Sequence, residues 1–123
     1  MNVDSDLNSK LTEVGKTNPQ IKTISIINNQ GILLAGYNSS GAIEDGEQTR
    51  LGAMILACQS LTNKTLLSLS YDKCKVFTVK AENANTGMIF SEKYNILVIT
   101  ETKSDIKSLT LSIHELIQKL MDK

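Results

Sequence analysis

The chain has 123 residues and a mass of 13.5 kDa. That is one domain over residues 1–123, able to bury about two thirds of its unfolded surface without a disulfide or metal. Thirteen Lys+Arg balance thirteen Asp+Glu, leaving no basic excess to meet a phosphate backbone, so no nucleic-acid partner is expected.

Val3, Leu7, Leu11 and Val14 share one stripe of a 3.6-residue period and predict a first helix. Asp4 or Ser5 can cap it, and Gly15 with Asn18-Pro19 can stop it. The period then becomes that of strands. Residues 21–28 (IKTISIIN) are rich in β-branched side chains, residues 28–31 (NNQG) offer positive φ, and residues 32–37 form a second apolar run. Together they predict a hairpin. Residues 38–45 form a polar loop that ends in acids, which suit a helix N-terminus.

A long helix is predicted over about 44–66, and it has two faces. Leu51, Met54, Ile55, Cys58, Leu61 and Thr65 make a stripe expected to lie on a sheet. Thr49, Gly52, Ala53, Leu56, Ala57 and Ser60 make a second stripe of mostly small residues, suited to close approach by another backbone. Gly52 inside a helix costs about 1 kcal/mol relative to Ala, which asks for a packing reason. Three strands follow at 74–81, 86–91 and 94–101, with a loop at 82–85 (ENAN). The last of them is the most apolar and belongs in the sheet centre. A final helix starts with Ser104 as N-cap and Asp105 in its first turn, and buries Ile106, Leu109, Ile113, Leu116, Ile117 and Leu120.

Equipment for chemistry is sparse. There is no Trp, a single histidine (His114) and a single arginine (Arg50), which excludes a His–His metal pair. Neither GxxxxGK[ST] nor GxGxxG occurs, so residues 38–41 (NSSG) read as a strand-to-helix loop. His114 reads as a half-exposed helix histidine. Cys58 and Cys74 read as small apolar thiols, although Lys73 and Lys75 could lower the pKa of Cys74. Glu44, Asp45 and Glu47 answer the helix dipole. Arg50 can pair with Glu47 three residues before it, or reach a partner, where it could act as an arginine finger. No catalytic residue, cofactor or metal is expected, and the chain is not expected to be an enzyme.

The free thiols lack CxxC spacing, the N-terminus lacks the features of a signal peptide, and no apolar run reaches about 18 residues. A cytoplasmic protein without a membrane span is expected, with chance sequons at Asn38 and Asn63. The strand at 74–81 contains no proline and has Lys73, Lys75 and Lys80 as its guards. Beside the small-residue stripe, such an edge suits pairing with a second copy.

The element order, the hairpin ISIINNQGILLAG, the helix LGAMILACQSL, and the runs KVFTVKAENA and YNILVITE before an amphipathic helix resemble the Roadblock family from about Leu7 to Leu120. The resemblance implies an α/β (α+β) domain built on a five-stranded antiparallel sheet in the order 2-1-5-4-3. It implies the long helix on one face and the terminal helices on the other. It also implies a homodimer through the long helix and the third strand, and a Ras-like small GTPase as partner, either stimulated or anchored. The interface would then hold Thr49, Gly52, Ala53, Leu56, Ala57 and Ser60 with Lys75, Val76, Phe77, Thr78 and Val79, leaving Arg50 and Glu47 to meet the partner. The loop at 82–85 departs from the family's tighter turn. The same element order also fits a profilin-like or small-molecule sensor domain.

Overall fold

A computed structural model describes residues 5–41, 45–72, 74–101 and 105–121. Among them α1 (Ser5–Thr17) comes first, then β1 (Ile21–Ile27) and β2 (Leu33–Asn38). Next come α2 (Asp45–Ser68), β3 (Val76–Lys80), β4 (Asn85–Phe90), β5 (Asn95–Thr100) and α3 (Ile106–Met121). The five strands form one antiparallel sheet in the order β2-β1-β5-β4-β3. The apolar β5 lies in the middle, as its composition predicts.

Local chemistry explains the turns. Asn28 Oδ1 accepts the N–H groups of Gln30 (2.8 Å) and Ile32 (3.0 Å), and Gly31 takes φ +82°, which closes the β1–β2 hairpin. Asn29 donates from its side chain to the Glu92 carbonyl, tying this turn to the β4–β5 turn. Between β3 and β4, Ala81 N–H donates to Ala84 O at 2.8 Å. This turn is tighter than the expected loop at 82–85, so Asn85 joins β4 and the strand starts one residue earlier than predicted.

The sheet separates two apolar layers. Leu7 and Leu11 of α1, with Ile106, Ile113 and Ile117 of α3, pack on Ile24, Ile26, Ile96 and Val98. Each fully buried aliphatic side chain contributes about 1.5–3 kcal/mol. On the other face Ile55 of α2 packs with Ile27, Met88, Phe90 and Leu97. Asn95 and Ser25 are also buried, and among the described residues their side-chain polar atoms have no hydrogen-bond partner.

α1 ends at the predicted Asn18-Pro19 stop and not at Gly15, and the cap of α3 differs from expectation. α1 runs straight through Gly15, because the ring of Tyr37 lies 2.2 Å from where a Cβ would stand. The glycine admits the ring and does not end the helix. Asn18 ends it: its side-chain amide and backbone N–H both donate to Val14 O, at 2.8 and 3.1 Å. α3 is capped by Asp105, whose Oδ1 accepts Ser108 N–H at 3.2 Å and whose Oδ2 accepts the Ser108 hydroxyl at 3.0 Å. Those bonds, the backbone one foremost, hold the Asp105 carboxyl below its ordinary value. The predicted caps Asp4 and Ser104 lie outside the described residues, as does the side chain of Ser5.

Candidate interaction surface

α2 crosses the sheet near the end that carries the β1–β2 and β4–β5 turns. Its first half touches the hairpin: a Cβ on Gly52 would stand 2.0 Å from the Gly31 carbonyl oxygen. Its second half touches the start of β3, where Asn63 Oδ1 accepts Cys74 N–H at 2.7 Å. Gly52 is therefore buried within its own chain, and this contact accounts for its lack of a side chain. Leu56 is half-buried beside Gly31.

The two predicted stripes are rotated with respect to the observed faces. Leu51, Ile55 and Cys58 do meet the sheet. Met54 and Leu61, expected there too, are 55% and 69% exposed, and Thr65 is exposed as well. They share the outer face with Ala53, Ala57 and Ser60. A helical row through Arg50, Met54, Ala57, Leu61 and Lys64 shows why: its polar ends mark the side that faces outward. That signal was present in the sequence. Arg50 is exposed and joins no ion pair among the described residues, where Lys10–Glu13 (3.5 Å) and Lys22–Glu101 (3.2 Å) are found. The side chains of Glu47 and Thr49 lie outside the described residues.

β3 is one free edge of the sheet. Phe90 N–H donates to Lys75 O at 2.9 Å, so Lys75 is turned toward β4. The alternation of an antiparallel ladder then turns the backbone groups of Val76, Thr78 and Lys80 outward. Val76 and Phe77 are half-buried against the two core layers, while Lys75, Thr78 and Val79 are exposed.

A groove of 770 Å³ lies where α2, the start of β3 and α3 come together. Gln59, Asn63, Cys74, Phe90, Leu111 and His114 are among its lining residues. Burial, outweighing a hydrogen bond to the Val76 carbonyl at 3.4 Å, pushes the Cys74 thiol up. Lys75 does not activate it, Lys73 lies outside the described residues, and a raised pKa keeps the thiol a poor nucleophile at neutral pH. His114 Nδ1 is 3.4 Å from the Tyr94 hydroxyl. Among the described residues no three His, Cys, Asp or Glu side chains are grouped to hold a metal, and no helix is long and apolar enough to cross a membrane.

No protein-family model matches the sequence, and neither does any curated protein. Solved structures do match. MglB from Myxococcus xanthus superposes with a TM-score of 0.77 at 12% identity, over 96% of this chain and 94% of that one. A Roadblock/LC7 domain from Streptomyces avermitilis superposes with a TM-score of 0.77 at 10% identity, over 98% and 97%. Profilin IA from Acanthamoeba castellanii is more distant, with a TM-score of 0.53 at 12% identity over 94% and 96%. At these identities the likeness concerns architecture, and the architecture of this chain is the Roadblock-type fold.

Proposed function

We propose that the chain is a non-enzymatic, cytoplasmic homodimeric platform for a Ras-like small GTPase. The observation that carries the reading is the pairing of an open β3 edge with an uncovered apolar face on α2, two features joined through Asn63 and Cys74. A two-fold axis lets one copy offer both to the same features of the other. The resemblance to the Roadblock family supplies the partner class, and the likeness to MglB, of which one structure is described as having a tetrameric arrangement, supports self-association. In this reading hydrolysis belongs to the GTPase. The platform holds its switch segments in one of their states, and Arg50 is the side chain available to reach them.

Light scattering across a concentration series tests the assembly. The wild-type chain is expected near twice 13.5 kDa. Thr78→Pro removes an outward N–H and leaves the bonds to β4 in place, so it should give a folded monomer. A wild-type chain that stays monomeric at every concentration ends the homodimer reading. Capture experiments with Ras-like GTPases of the source organism, in GDP and GTP-analogue states, test the partner. Binding in neither state ends that part.

The profilin likeness and the groove support a ligand-binding alternative. Proline-rich peptides need exposed aromatic rings, yet Tyr94 and Phe90 are buried and Tyr37 and Phe77 half-buried, leaving Tyr71 exposed. A small-molecule sensor would show itself in a thermal-shift screen, since a ligand at 100 times its Kd adds about 2.7 kcal/mol.

A further inference from the structure

The two edges of the sheet are not equivalent. Among the described residues, the outward backbone groups of Thr78 and Lys80 on β3 meet no hydrogen-bond partner. Along β2 lies α1. Asn8, held on α1 between the buried Leu7 and Leu11, accepts Gly36 N–H on its Oδ1 at 2.9 Å, across 28 positions of sequence. Further along the same helix, the Tyr37 ring fills the place of a Gly15 side chain. An amide that donates to Asn8 is not donating to β1. By ladder alternation Gly36 is therefore an outward-facing position, in the middle of the β2 edge.

We propose that Asn8 closes the β2 edge against β2 of a second copy, so that strand addition is confined to β3. A sheet with two open edges can grow without limit, whereas a sheet with one stops at a pair. A pair joined through β3 carries a β2 edge at each end, so a guard there decides whether assembly terminates. That last step rests on the proposed β3 pairing. The guard itself does not, and the experiment separates them.

The variants are Asn8→Ala, which removes the acceptor, and Asn8→Asp, which keeps it. Asn8→Ala is also made in the Thr78→Pro background. The readouts are solution mass across a concentration series, circular dichroism for folding, and hydrogen exchange at the Gly36 amide. For Asn8→Ala, exchange at Gly36 is expected to rise about tenfold or more, and the mass to climb past the wild-type value with concentration. Asn8→Asp should keep the wild-type mass. The double variant should regain self-association that Thr78→Pro alone lacks. A folded Asn8→Ala chain with wild-type mass at every concentration overturns the proposal. Should Asn8→Ala fail to fold, the wild-type exchange decides: an unprotected Gly36 amide also overturns it. If wild type is a monomer and Asn8→Ala associates, the β3 pairing falls and the guard stands.

Discussion

Gly52 shows how one residue can be read correctly in kind and wrongly in place. A glycine in the middle of a helix implies a close backbone, and the structure supplies one, the Gly31 carbonyl of the chain's own hairpin. The sequence carries no information about which backbone approaches, because a neighbouring turn and a neighbouring molecule make the same demand. The contact also sets the sign of a substitution. Gly52→Ala gains about 1 kcal/mol of helix propensity. Its Cβ would meet a backbone oxygen 2.0 Å away, and that oxygen belongs to a turn already held by Asn28. Overpacking of this kind costs about 1–3 kcal/mol. Urea unfolding of Gly52→Ala should therefore show a net loss of up to about 2 kcal/mol at unchanged m-value. A gain would mean that α2 lifts away from the hairpin at little cost.

At the scale of elements, order and type were legible because each segment keeps a single period. IKTISIIN is rich in β-branched residues, whereas Ile106, Leu109, Ile113 and Ile117 recur at helical spacing. Boundaries were less legible where one residue has two uses. Gly15 can stop a helix or admit a ring, and Asp105 can sit in a first turn or cap it. The end of α2 was also missed: it runs two residues past 66, to Ser68. It closes with Tyr71 N–H on Leu66 O (2.8 Å) and Ser70 N–H on Leu67 O (3.0 Å), with Ser70 at φ 68°. This is the bonding of a Schellman cap with serine where glycine usually stands, so no glycine marked the spot. A side chain in the left-handed region costs about 1–2 kcal/mol. Ser70→Gly should recover about 1 kcal/mol, offset in part by the greater freedom of glycine in the unfolded chain, and raise Tm. An unchanged or lower Tm would show that the strain is already relieved by the exposed serine.

For the whole molecule, the hardest feature to read was which side of α2 faces in. Both sides of that helix carry apolar residues, so periodicity alone leaves its rotation open. The placement of Gly52 on Gly31 and of Asn63 on Cys74 fixes it, and Met54, Ala57 and Leu61 turn outward as a consequence. Such a row is left to water in a monomer and is covered in a paired platform. Leu61→Arg tells these apart. Leu61 is 69% exposed, so in a monomer the change should move stability by no more than about 0.5 kcal/mol. In a two-fold pair the substitution occurs twice and joins the Arg50 and Lys64 cations already on that row. Desolvation and like-charge repulsion then both oppose association, and the mass should fall to that of the single chain while circular dichroism stays unchanged. A folded Leu61→Arg chain that keeps a paired mass would remove the α2 face from the interface and leave the β3 edge to hold the pair alone.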